Sequence, residues 1–292
     1  MSGAPAISLV GATPLVRLHR LPPPGAQLWA KCEHWNLGGS MHDRVANAVI
    51  TRLAASGVGA GATLVACHAG NLGLSLAVVG ARRGYRCTLV VPSEISKKRL
   101  ALLRAYRAEV VMAPPDEMRE VAVTRAASPG GVFVDLGTDP AGHLGGVEIA
   151  REIVEALGPP AVVVVGVGTG QTARGVGAEL ADRAPGCRVV GVVRGPADDP
   201  GDPLAGVIQG LSVAPGALPN ISELRPIGAR AAWQVAHDLS RREGILAGHS
   251  SGGVVAVALQ LLAEGAPGPV AAILADTGER HFAVNERFRS VP

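Results

Sequence analysis

Eight short apolar runs, five to eight residues each, alternate along the chain with longer amphipathic segments. This alternation narrows the possible folds more than any other feature. The runs are LWAKCE (28–33), TLVAC (63–67), CTLVVP (87–92), EVVMAP (109–114), VFVDL (132–136), AVVVVGVG (161–168), RVVGVV (188–193) and VAAILAD (270–276). Between them lie stretches such as RVANAVITRLAASG (44–57) and LGLSLAVVGARRG (72–84). Parallel strands need crossover connections, usually helices, so the pattern predicts parallel sheets covered by helices, a doubly wound α/β fold. The 292 residues exceed one compact core, which leaves two lobes or one large α/β unit.

Composition excludes several function classes. Apolar residues make up 48% and charged residues 17%, and no run is long enough to span a bilayer. The opening MSGAPAISLVGATPLVRL shows neither a secretory signal nor an arginine-rich transit peptide, so a cytoplasmic protein with no membrane partner is expected. The densest basic run, KKRLALLR (97–104), places Lys97, Lys98, Arg99 and Arg104 on what reads as a solvated helix face. With aromatics at 3%, base-stacking platforms and a nucleic-acid partner are not expected. The cysteines Cys32, Cys67, Cys87 and Cys187 form no CxxC pair, and three read as small buried hydrophobes. Cys67, beside His68, is either a reactive thiol or another buried free cysteine.

Glycine-rich turns fall where strands give way to helices: CHAGNLG (67–73), GVGTGQTARG (166–175) and GHSSGG (248–253). Ligands of open α/β sheets bind beyond the carboxyl ends of the strands, at helix N-termini, so these turns predict one shared cleft. The GVGTGQT turn suits a phosphate monoester. Neither GxxxxGK[ST] nor GxGxxG with a following acidic residue occurs, which removes a P-loop nucleotide site and a dinucleotide fingerprint. Residues 195–219 read as a long irregular loop near the cleft, and no internal repeat is visible.

Taken in order, GATPLVRL (11–18), NLGGSMHDR (36–44), AGNLG (69–73), GVGTGQT (166–172), IQG (208–210), EGILAGHSSG (243–252) and DTGER (276–280) cover almost the whole chain. Together they resemble the cysteine synthase (O-acetylserine sulfhydrylase) and cystathionine β-synthase family, fold-type II pyridoxal phosphate enzymes. The resemblance implies the two-lobed, tryptophan synthase β-like α/β fold, with the cofactor between the lobes, as a homodimer. Residues 1–36 with 146–292 would form the larger, phosphate-holding lobe and 37–145 a smaller mobile one. Gly168, Thr169, Gly170 and Thr172 would hold the cofactor phosphate, Asn71 would meet the pyridine 3′-oxygen and Ser250 the ring nitrogen. Ala69, Gly70 and Leu72 would line the substrate.

The departures from the family pattern gather in the site. The family's GGSxKDR lysine, which holds the cofactor as a Schiff base and moves the α-proton, is His42 here. Imidazole has no primary amine and cannot form that imine, although its ordinary pKa near 6.5 suits proton transfer. The family's TSGNTG has become HAGNLG, gaining His68 and losing hydroxyls at Ala69 and Leu72. Cys67 stands in place of a proline, Gln171 in place of a phosphate-loop glycine, and His249 in place of an aliphatic before Ser250. LSVAPG (211–216) replaces the loop after IQG.

His42, His68 and His249 are therefore the candidate acid–base groups. Convergence on a metal is the lesser reading, because no HxH or HxxxH spacing supports it, and no metal ligand is assigned. His143 reads as a surface or hinge residue, Asp43 and Arg44 as cap and anchor of the next helix, and Ser250 and Ser251 as helix caps. Three functions follow. The first is a repurposed enzyme acting on an amino-acid-like or phosphorylated small molecule, with pyridoxal phosphate held non-covalently or lost. The second is a non-catalytic relative binding a metabolite or a protein partner at the cleft. The third, conventional β-replacement, is the least supported: losing the acid–base group alone costs roughly 10²–10⁴-fold.

Overall fold

The computed structural model describes residues 10–195 and 218–281. The IQG (208–210) and LSVAPG (211–216) readings, and nearly all of the 195–219 loop, lie outside the described residues. In chain order the strands are β1 (Leu15–Leu18), β2 (Leu28–Cys32), β3 (Thr63–Ala66), β4 (Arg86–Pro92), β5 (Glu109–Ala113), β6 (Gly131–Phe133), β7 (Val162–Gly166), β8 (Arg188–Arg194), β9 (Glu223–Ile227) and β10 (Val270–Leu274). The helices are α1 (His42–Ala55), α2 (Asn71–Arg82), α3 (Lys97–Ala105), α4 (Met118–Ala126), α5 (Leu144–Leu157), α6 (Gln171–Arg183), α7 (Ala229–Asp238) and α8 (His249–Ala263). None of the described helices is long and apolar enough to cross a membrane.

These elements form two compact units. The smaller contains Asn36–Gly145 with residues 10–12, and the larger Thr13–Trp35 with the described residues from Gly146 onward. Residues 10–12 thus depart from the sequence-based division, which put them in the larger lobe. The reason is local: the Gly11 N–H donates to Asn36 Oδ1 at 2.8 Å.

The smaller unit has a four-stranded, wholly parallel sheet in the order β5-β4-β3-β6. Its core joins Leu64, Leu89 and Val91 of the sheet to Val49 and Ile50 of α1 and Leu76 and Val79 of α2. The larger unit has six strands in the order β1-β2-β10-β7-β8-β9, parallel except for the β1–β2 pair. Val162 to Val165 of β7 and Val270 to Leu274 of β10 are almost wholly out of water. Strands covered on both faces read as unbroken apolar runs, which is why β7 and β10 stand out in the sequence.

The two strands that the runs did not reveal, β1 and β9, lie at the edges of the larger sheet. LVRL and ELRPI each carry charge, and β9 carries Pro226. Edge strands keep one side in water and tolerate proline, so neither shows the apolar signature of its neighbours. β6 ends at Phe133, before the VFVDL run does, and Asp135 and Leu136 turn into the following loop. Lys97, Lys98 and Arg104 of α3 are exposed, as a solvated face requires. Cys32 and Cys87 are buried, but Cys187 is partly exposed, correcting its reading as a core residue.

Candidate active site

In the smaller unit, His42 is the first residue of α1. Its Nδ1 lies 2.9 Å from the hydroxyl of the fully buried Ser40, and its backbone N–H donates to the same oxygen at 3.2 Å. Asp43 does not cap α1: the N-cap is Met41, which makes no side-chain bond. Its buried carboxylate instead accepts the Gly38 N–H at 2.5 Å and the Ser75 hydroxyl of α2 at 2.5 Å. The correction has a physical cause, since a carboxylate out of water needs donors on both oxygens, and the 36–41 loop and α2 supply them.

The HAGNLG turn joins β3 to α2, with Gly70 as N-cap and Asn71 as the first helical residue. A Cβ on Gly73 would sit 1.8 Å from the His68 carbonyl oxygen, so only glycine lets the turn close. Gly70 borders open space, whereas Ala69 and Leu72 pack partly against the core. His68 Nε2 stands 3.6 Å from Asp135 Oδ1. Burial pushes the His68 pKa down against the pull of Asp135, so the ring is neutral at pH 7. Burial also works against ionised Asp135. Hydrogen bonds from Arg119 and Thr138 outweigh it and hold the carboxyl below its ordinary range. Arg119 reaches Asp135 at 2.8 Å and lies over the Phe133 ring. Burial pushes the half-buried Cys67 thiol up, which argues against a reactive thiolate. His143 Nδ1 lies 2.8 Å from the Pro140 carbonyl, a local loop contact.

In the larger unit, the phosphate-type turn links β7 to α6. Gly170, the N-cap, has φ 85°, a left-handed conformation that disfavours a side chain. α6 begins at Gln171, which is 5% exposed. Thr172 is buried in the first helical turn, and Gly168 and Thr169 are partly exposed. A Cβ on Gly168 would meet nothing within 4 Å, so the loop faces open space at the start of a helix. The phosphate end of a pyridoxal phosphate fits this cradle: a glycine turn at a helix N-terminus beside room for an anion.

His249 and Ser250 open α8, whose N-cap is Gly248 with no side-chain cap bond. Ser250 and Ser251 are therefore not caps. Both lie inside the first turn, and Ser251 Oγ accepts the Ala275 N–H at 2.9 Å, tying α8 to the end of β10. By the resemblance, the tether end of the cofactor would fall at His42, which offers no amine. Lys31 of β2 does not replace it: its ammonium is buried, donating to the Thr13 carbonyl at 2.7 Å and paired with Glu152. Among the described residues, no group of three His, Cys, Asp or Glu could hold a metal ion. Sequence reasoning passed over Ser40, Asp135, Arg119 and His281. Ser40 lay inside a quoted motif and His281 one residue beyond another, while Asp135 and Arg119 carried no local signal.

A family model described as pyridoxal-phosphate dependent enzyme matches residues 7–276, and the chain belongs to that family. Within the family its likeness is to cysteine synthases. A probable cysteine synthase of Bacillus subtilis (strain 168) is 34% identical over 298 residues, covering 95% of each chain. A cysteine synthase of Staphylococcus aureus (strain MW2) is 31% identical over 296 residues, covering 94% of each. Among solved structures, O-ureido-L-serine synthase matches 100% of this chain and 97% of its own, with TM-score 0.89 and 34% identity. A lysine-to-alanine variant of O-ureido-L-serine synthase with O-ureido-L-serine bound matches 100% and 95%, with TM-score 0.86 and 32% identity. The protein is thus cysteine synthase-like, with the fold-type II architecture.

Proposed function

We propose that this chain is a repurposed cysteine synthase-like enzyme acting on an amino-acid-like or phosphorylated small molecule, with His42 as its acid–base group and pyridoxal phosphate held without a covalent tether. The observation that carries the reading is the Ser40–His42 pair. The bond sets the direction of the ring, as an acid–base role requires. A hydroxyl both donates and accepts, so Ser40 serves either neutral tautomer of His42. With Nδ1–H donating to Ser40, Nε2 is a base in the neutral ring, and Nε2–H is an acid once the ring has taken up a proton. The clamp of Asp43 on the Gly38 N–H keeps the loop in place for either role.

Pyridoxal phosphate, where bound, supplies an electron sink for a substrate carbanion. Gly168, Thr169, Gly170 and Thr172 would hold its phosphate through backbone donors and hydroxyls, with Gln171 buried beside them. Asn71 and Ser250 would orient the ring, and Ala69, Gly70 and Leu72 would border the substrate. His68, neutral and backed by Asp135, donates or accepts a hydrogen bond there without adding charge. The O-ureido-L-serine-bound lysine variant supports the reading: a protein of this fold holds an amino-acid ligand after loss of a lysine.

The test is an absorption titration of the purified protein with pyridoxal phosphate, beside His42→Lys. The wild type is expected to bind saturably and keep the aldehyde absorption, while His42→Lys shifts the band to longer wavelength. In a turnover assay, His42→Ala should lose roughly 10²–10⁴-fold with the fold intact. An absence of binding in the wild type overturns the cofactor half of the reading and favours a non-catalytic binder. Unchanged turnover in His42→Ala removes the acid–base role.

A further inference from the structure

The start of α8 is packed against two groups that the cofactor reading does not use. The Gly248 N–H donates to the Asp276 carbonyl at 2.9 Å, which lays the residues after β10 along the first turn of the helix. A Cβ on Gly248 would stand 2.0 Å from Asp276 Oδ1 and 3.0 Å from His281 Nε2, so glycine is what admits both groups. His281 Nε2 lies 3.1 Å from Asp276 Oδ2, and the His281 and His249 ring centroids are 5.0 Å apart. Asp276 and His249 are each 2% exposed.

We propose that Asp276, His281 and His249 form a carboxylate–imidazole–imidazole line that orients His249 as a second proton-handling group of the site, with His281 as its positioning residue. This rests on the reading of α8 as the cofactor's ring-nitrogen end, since Ser250 follows His249 directly. A carboxylate at a helix N-terminus is favoured by the helix dipole, and an ionised Asp276 only accepts, so His281 carries a proton on Nε2. That fixes the His281 tautomer and its ring plane, against which the His249 ring is set at 42°. A positive charge gained at His249 during proton transfer is then offset by the buried charge behind it, the logic by which a carboxylate supports a catalytic imidazole. His34, the other imidazole within reach of the Asp276 charge, is held neutral by burial against the pull of Asp276 and Glu33, so it does not compete as the cationic partner.

The test is the ¹⁵N spectrum of histidine-labelled, cofactor-free protein in four forms: wild type, Asp276→Asn, His281→Phe and His281→Gln. The wild type is expected to show His281 as the Nε2–H tautomer. His249 ring resonances should move in Asp276→Asn and in His281→Phe, which keeps a packed ring but loses the N–H. They should return toward wild type in His281→Gln, whose amide N–H can reach Asp276. His281 lies near the surface, so its variants decide the matter if Asp276→Asn fails to fold. Unchanged His249 resonances in folded His281→Phe overturn the proposal, as does an Nδ1–H tautomer at His281. A pyridoxal phosphate titration of the same samples separates the two readings. Failure to bind overturns the cofactor reading while the ring spectra still decide this one. Normal binding that leaves the wild-type His249 resonances in place overturns the second proton-handling role.

Discussion

At the scale of single residues, three of the site's candidate imidazoles each have a polar or aromatic neighbour. His42 has the Ser40 hydroxyl, His68 has Asp135, and His249 stacks near His281. Burying imidazoles has a consequence for stability. Burial depresses the pKa of His68 and of His34, so the unfolded chain takes up protons near pH 6.5 that the folded chain refuses. The unfolded state binds more protons in that window, so stability is present above it and falls as pH drops below about 6.5. Urea unfolding at pH 7.5 and 5.5 should show the midpoint falling on acidification, and His68→Gln should reduce the fall. A midpoint equally pH-dependent in His68→Gln would show that the burden lies elsewhere.

At the scale of elements, the β7–α6 turn separates two jobs that glycine does. Gly170 is needed for its left-handed backbone, and Gly168 borders open space. Gly170→Ala should therefore cost about 1–2 kcal/mol of stability, read as a lower thermal midpoint. Gly168→Ala should fold as well as wild type, within about 0.5 kcal/mol, yet bind pyridoxal phosphate more weakly because its methyl enters the anion's space. Loss of stability in Gly168→Ala with unchanged binding would reverse that assignment. The turn was legible in the sequence because its glycines follow a valine-rich run and precede a helix. The role of Asp43 was not: local spacing made it a cap, and only the approach of Gly38 and Ser75 gave its carboxylate other donors.

At the scale of the whole molecule, each unit has its own sheet and its own buried cluster, and the phosphate-type turn belongs to the larger. A ligand that binds only the folded state at 100 times its Kd stabilises by about 2.7 kcal/mol. For a unit of this size that is roughly 5–10 °C in thermal midpoint. Calorimetry with saturating pyridoxal phosphate should show a rise of that order in wild type and a smaller one in Gly168→Ala; equal rises would place the binding elsewhere. The sequence by itself determined the parallel α/β architecture, the place of eight strands along the chain and the family, because apolar runs and glycine turns are local records of burial and backbone conformation. It also put His42, which has no primary amine, inside the NLGGSMHDR motif. Only the tertiary structure decided what stands behind each histidine. Ser40 was near at hand, but Asp135 lies 67 residues beyond His68 and His281 lies 32 beyond His249. Pairings across such distances are made by the strand order of a sheet, which no local pattern encodes.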